Sequence, residues 1–177
     1  TPLEHEYKIM GMAPYYRGHI DKNPVYQGLL KVFEWDPESP MQWRRRTGIP
    51  RVGYLWRYLD ELLKIERFDT IAAGVQAFVE YFLVEWVRRC IRETGLSRLA
   101  VSGGTFMNVK ANQAILSLPE VDELFVFPSC GDETNSVGAA YWYYANQKLS
   151  ANERVDIDSV GSIYWGGEFH DDDIESI

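Results

Sequence analysis

Apolar and polar positions along this chain follow two different periods, and the switch between them outlines the fold. From Phe68 onward, Ile71, Ala72, Val75, Phe78, Val79, Phe82, Leu83, Trp86, Val87, Cys90 and Ile91 recur at spacings of three and four, which predicts a long helix with one wide apolar face. Asp69 is placed to cap its start, and Arg88, Arg89 and Arg92 complement the dipole of its last turns before Gly95. Such a face has to pack on a sheet or another helix, and Cys90 on it is a small core residue. Leu55, Tyr58, Leu59, Leu62 and Leu63 mark a shorter helix over residues 53–67. Residues 4–12 predict a first short helix, closed by Gly11 and broken by Pro14. Residues 25–35 are rich in β-branched and aromatic side chains between Asn23-Pro24 and Asp36-Pro37, which predicts a strand with a bulge at Gly28. Residues 37–50 read as a loop carrying Arg44, Arg45 and Arg46 beside Trp43. A basic run of this kind is either a solvated face or a grip for a phosphate or a partner.

The second half changes period. Residues 98–102 predict a short buried strand that runs into Ser102, Gly103 and Gly104, and residues 105–118 a helix. Residues 121–127 predict a second strand, 128–132 a turn, and 133–147 another helix, with Gly138, Ala139 and Ala140 small enough for close packing. Strand–helix–strand–helix with connections this short predicts parallel strands joined by right-handed crossovers. Both turns, Gly103-Gly104 and Gly131-Asp132, then lie at the carboxyl ends of their strands, the edge at which α/β sheets bind ligands. Two glycines after a strand serve either a tight turn or a close backbone approach to a nucleotide or phosphate. Asn108, one turn into the following helix, offers an amide that both donates and accepts. Lys110 faces elsewhere, and Asn112 either braces the helix or touches ligand. Asp132 either caps the next helix or ligates a divalent cation.

Composition narrows these options. The chain has 177 residues, 46% of them apolar and 25% charged, in the range of one globular domain. Six Trp and eleven Tyr predict bulky packing or an aromatic contact surface. A net charge of -8 argues against a generic binder of nucleic-acid backbone. The two cysteines, Cys90 and Cys130, form no CxxC pair and imply neither a disulfide framework nor a zinc knuckle. No stretch approaches the roughly 20 apolar residues of a membrane span, and the first residues lack a signal pattern, so a cytoplasmic location without membrane contact is expected. Glu6 and Lys8 on the first helix belong to a solvated face or point into a ligand cleft, while His5 and His19 stand alone. No phosphate loop, GxSxG or Ser/His/Asp arrangement occurs. Both ends break into motif-like sequence, so a piece of a longer protein is expected.

Taken together, EYKIMGMAPYY (residues 6–16), IAAGVQAFVE (71–80), SGGTFMNVKAN (102–112), FVFPSCGDETNSVGAA (125–140) and IYWGGEFHDDDIE (163–175) resemble the O-carbamoyltransferases of nodulation and antibiotic biosynthesis. The resemblance covers most of the chain and places it in the C-terminal part of the family's first domain, related to the threonylcarbamoyl-adenosine synthases. It implies an α/β fold: one ribonuclease-H-like lobe of the actin/sugar-kinase/heat-shock ATPase fold, a mixed sheet flanked by helices. Residues 1–177 would then be one domain, with 1–20 leading in, 21–150 forming the lobe and 151–177 an acidic exit segment. The implied reaction uses ATP and carbamoyl phosphate to form a carbamoyl-adenylate, releasing pyrophosphate, and passes the carbamoyl group to a hydroxyl of a sugar or antibiotic-like acceptor. On this resemblance Gly103, Gly104 and Asn108 meet the nucleotide, with Glu6 and Lys8 as further candidates. Asp132 matches a ligand of a divalent metal, iron or magnesium, whose histidine partners precede this chain. Tyr16 and Thr134 depart from the family pattern, where glycine is usual. The remaining lobe and domain of the same protein are implied partners, and self-association is open. The isolated chain is expected to fold without transferase activity. The alternative is a non-catalytic nucleotide-binding or scaffold domain of the same fold.

Overall fold

The computed structural model describes residues 5–157 and residue 167. The chain divides into two compact units, Thr1–Cys130 and Gly131–Ile177.

The first unit is built on one helix, α4 (Phe68–Thr94), as the three-and-four spacing predicts. It stops at Gly95, whose φ of 70° is left-handed and whose N–H closes the last turn onto Ile91. Its start differs in detail. Arg67 holds the capping position, and Asp69 sits inside the first turn, accepting the Thr70 N–H at 3.0 Å and the Arg67 Nε at 3.1 Å. By length and apolarity α4 would suffice to cross a bilayer, contrary to the expectation that no stretch approaches a span. It is nevertheless a packed helix: Thr70, Ala72, Ala73, Gly74, Gln76, Leu83 and Val87 are buried. Cys90 on the same helix is half-buried, and that burial pushes its thiol pKa up.

Helix α1 (Glu6–Met12), the 3-10 turn Ala13–Tyr15 and helix α2 (Pro24–Leu29) pack along α4. Residues 24–29 are therefore helical where a bulged strand was expected, and the strand β1 is confined to Phe33–Trp35. The cause is a strong local cap. The Asn23 Oδ1 accepts the N–H groups of Val25 and Tyr26, each at 3.0 Å, and Pro24 supplies a pre-set φ at the first helical position. Asn23 is fully buried, and its Nδ2 donates to the Thr70 carbonyl at 2.9 Å, fastening α2 to the first turn of α4. At Gly74 a Cβ would stand 2.5 Å from the Asn23 Oδ1 and 2.7 Å from the Val25 Cβ, so the two helices meet at a contact only glycine permits. Helix α3 (Val52–Leu63), shorter at its end than predicted, packs on α2, and Tyr58 donates to the Gly28 carbonyl.

The expected loop after β1 contains a strand, β2 (Trp43–Arg45), antiparallel to β1 with Phe33, Glu34 and Trp35 opposite Arg45, Arg44 and Trp43. Opposed residues share a face, so Phe33, Trp35 and Trp43 meet Phe78 and Phe82 of α4 as a ring cluster. The Arg89 guanidinium stands 4.4 Å from the centre of the Trp35 ring. On the other face Arg44 pairs with Glu34 at 2.9 Å, and the Arg46 Nε holds the Phe33 carbonyl. Two of the three consecutive arginines thus have partners within this hairpin.

Strands β3 (Arg98–Val101) and β4 (Glu123–Val126) pair in parallel through the crossover helix α5 (Val109–Leu116), as predicted. They are not buried strands. Exposure alternates along each, with Leu99 and Leu124 against the core of Leu83, Val87, Ala111, Ile115, Leu118 and Val121, while Phe125 is 44% exposed. Nor is there one mixed sheet among the described residues. The antiparallel pair and the parallel pair are separate, because the hairpin meets α4 through aromatic side chains rather than by hydrogen bonding to β3 or β4.

The second unit begins with a 3-10 turn, Asp132–Thr134, and continues as α6 (Asn135–Ser150). No residue of α6 is buried, and a Cβ on Gly138 would have nothing within 4 Å, so the close packing expected at residues 138–140 is not found. The expected acidic exit segment lies largely outside the described residues, as does the stretch 163–175 apart from Gly167.

Candidate functional site

Sequence and fold converge on the carboxyl edge of the parallel pair. Gly103 has φ 102° and ψ 151°, a conformation open to glycine and costly to other residues. That bend turns the chain from β3 into a 3-10 turn, Gly104–Met107, and aims the Gly103 N–H at the Cys130 carbonyl, 2.7 Å away. The loop after β3 and the loop after β4 are thereby tied together at one edge. Gly103 spends its own N–H on this tie. Gly104 has an ordinary φ and open space where a Cβ would project, so its backbone is the approachable one.

Asn108 does not lie within a helical turn, as expected, but at the capping position of α5. Its Oδ1 accepts the Ala111 N–H at 3.0 Å. The side chain also forms a reciprocal amide pair with the buried Gln76 of α4: the Asn108 Nδ2 donates to Gln76 Oε1 at 2.9 Å, and the Gln76 Nε2 donates to Asn108 Oδ1 at 3.1 Å. The second Gln76 hydrogen goes to Glu80 Oε1 at 2.7 Å. Asn112 braces the turn, its Nδ2 donating to the Phe106 carbonyl at 2.7 Å.

Beside the glycine turn lies a groove of about 390 Å³. Phe33 and Trp43 of the hairpin, Phe78, Phe82 and Trp86 of α4, and Phe106 form its aromatic walls, and Ser102, Gly103 and Thr105 its polar margin. Its size and its few polar groups suit a small organic ligand. The hairpin wall was not foreseen. Its signal was present in the alternation Phe33-x-Trp35 and Trp43-x-Arg45 around a proline-bounded turn.

Glu6 and Lys8 do not line this groove. Both are exposed on α1, Glu6 accepting the His5 N–H at 3.0 Å and Lys8 lying 5.9 Å from the Tyr7 ring centre. Asp132, in the second unit, is exposed at the first position of its 3-10 turn, while Gly131 holds the capping position of that turn and Thr134 that of α6. Among the described residues no three His, Cys, Asp or Glu side chains gather as a metal site.

Residues 4–141 match the family described as Carbamoyltransferase N-terminus. The chain belongs to that family. The chain is 27% identical over 166 residues to the nodulation protein NolO of Bradyrhizobium diazoefficiens, covering 91% of this chain and 28% of that protein. It is 27% identical over 173 residues to the nodulation protein NolNO of Sinorhizobium fredii, covering 94% of this chain and 24% of that one. A similar relation, 25% identity over 175 residues, holds with the uncharacterized protein MJ1058 of Methanocaldococcus jannaschii, covering 99% of this chain and 28% of that protein. The chain thus spans about a quarter of the length of these relatives. The family match takes in the glycine turn, Asn108, Gln76 and Asp132 alike.

Proposed function

We propose that this carbamoyltransferase N-terminal chain supplies one wall of the nucleotide site of an ATP-dependent O-carbamoyltransferase. In that reaction water cleaves carbamoyl phosphate to carbamate and inorganic phosphate, and a carbamate oxygen bonds to the α-phosphorus of ATP as pyrophosphate leaves, giving the carbamoyl-adenylate. An acceptor hydroxyl then bonds to the carbamoyl carbon as AMP leaves. The acceptor is a sugar or natural-product alcohol, and the fold of the whole is that of the actin/sugar-kinase/heat-shock ATPases. A cytoplasmic setting and completion by further lobes of the same protein belong to this reading.

The observation that carries it is the Gly103–Cys130 hydrogen bond, which gathers two loops at one strand edge and leaves the Gly104 backbone open beside an aromatic groove. That combination supports close backbone approach by a nucleotide, with planar walls available to its apolar parts. Asn108, held at the start of α5, is the nearby amide for polar recognition. Asp132 suits one position of a divalent metal site, being an exposed carboxylate outside the capping positions of its turn and of α6. A single carboxylate does not hold such an ion, so in this reading the remaining ligands lie outside the described residues.

Calorimetric titration of the intact protein with ATP tests the proposal. Wild type should bind ATP, Asn108→Ala and Asp132→Ala should bind it more weakly, and carbamoyl phosphate should elicit pyrophosphate release. An intact protein that binds no ATP would instead be a scaffold that has kept the fold.

A further inference from the structure

The hydrogen-bond network behind Asn108 restricts what that residue can recognise. Glu80 as a carboxylate only accepts, so the Gln76 amide it meets must present nitrogen to it, and Gln76 Nε2 donates there at 2.7 Å. The same nitrogen's other hydrogen reaches Asn108 Oδ1, and Gln76 Oε1 faces Asn108 Nδ2. Independently, the Ala111 N–H at the start of α5 requires an oxygen from Asn108 and receives Oδ1. Both constraints choose the same amide orientation. Asn108 Oδ1 is thereby occupied by two protein donors, and one of its two Nδ2 hydrogens is used by Gln76.

We infer that Gln76 and Glu80 hold Asn108 as a donor with a single hydrogen to offer, so that the ligand atom it meets is a hydrogen-bond acceptor, and that Gln76 is the positioning residue for this contact. The inference rests on the proposed nucleotide reading of Asn108 and sharpens it. A nucleotide offers acceptors in its phosphate oxygens, its ribose oxygens and its ring nitrogens. A ligand group that only donates would find no partner here. Gln76 is 7% exposed and lies on the neighbouring helix, so it acts through Asn108.

The test is a set of ATP titrations on the intact protein. Asn108→Ala should weaken ATP binding about tenfold, the scale of one lost hydrogen bond. Asn108→Asp retains an oxygen for the Ala111 N–H but has no hydrogen to donate, and should lose at least as much. Gln76→Leu should weaken binding about three- to tenfold while the thermal melt stays cooperative. If that variant does not fold, Gln76→Met, of similar volume, takes its place. The deciding measurement is the double variant: with Asn108 already alanine, removing Gln76 should cause no further loss, because it works only through Asn108. Equal losses from Gln76→Leu in both backgrounds, or wild-type affinity in Asn108→Asp, would overturn the inference. Unchanged affinity in Asn108→Ala would instead remove the nucleotide reading beneath it.

Discussion

The N–H of Gly103 donates to the carbonyl of Cys130 across 2.7 Å, joining two loops that are 27 positions apart in sequence and adjacent at the carboxyl edge of β3 and β4. Cys130 is 3% exposed, so the bond sits against buried side-chain structure rather than in open water. A hydrogen bond so placed is costly to leave unmade. It fixes the height of the glycine turn relative to the second loop, and with it the margin of the aromatic groove.

The two glycines of the turn should therefore respond differently to alanine. Gly103→Ala forces a side chain into φ 102° and should destabilise the protein by about 1–3 kcal/mol, read as a lower urea midpoint. Gly104→Ala meets nothing within 4 Å and should leave the midpoint nearly unchanged. If a nucleotide approaches this backbone, Gly104→Ala should still weaken ATP binding in the intact protein. Equal destabilisation by the two substitutions would contradict the division of roles.

Asn23 joins three partners from a fully buried position: the Val25 and Tyr26 N–H groups and the Thr70 carbonyl. Asn23→Ala removes a helix cap together with the buried amide that ties α2 to the Thr70 carbonyl, and a loss of about 2–4 kcal/mol is expected. Chemical denaturation checks it. A loss below about 1 kcal/mol would mean that water replaces the side chain at no great cost.

Gly74→Ala should destabilise even though alanine is the better helix former by about 1 kcal/mol. Its Cβ would stand 2.7 Å from the Val25 Cβ and 2.9 Å from the Tyr26 nitrogen, and backbone cannot rotate away as a long side chain can. Gly138→Ala on α6 supplies the control, since nothing lies within 4 Å there and the propensity gain should appear as a raised melting temperature.

Asp69 provides a pH signature. The Arg67 guanidinium, which hydrogen-bonds its carboxylate, is the main cause holding its pKa below the ordinary 3.8, and the Thr70 N–H adds to it. The folded pKa lies below the unfolded one, so the contribution is present above about pH 4 and fades as pH falls through the folded value. The stability difference between wild type and Asp69→Asn should shrink on acidification below about pH 4. A difference independent of pH across that window would show that the pairing with Arg67 does not act through the carboxylate's charge.

What could be read from the sequence was whatever depends on near neighbours. The three-and-four stripe from Phe68 to Ile91 specifies α4, and strand, glycine turn, helix and strand from Arg98 to Val126 follow from local period and Gly103's conformational freedom. Tertiary structure decided the points that turn on partners far along the chain. Residues 24–29 are helical because Asn23, tied to Thr70 47 positions away, caps them against their β-forming composition. Trp43 lies in a strand because the ring cluster of Phe33, Phe78 and Phe82 gives the hairpin a surface to cover. Asn108 has only a hydrogen to offer because Gln76, 32 positions earlier, occupies its oxygen. Periodicity records which side of an element is apolar, whereas the direction of an amide depends on the one group that faces it.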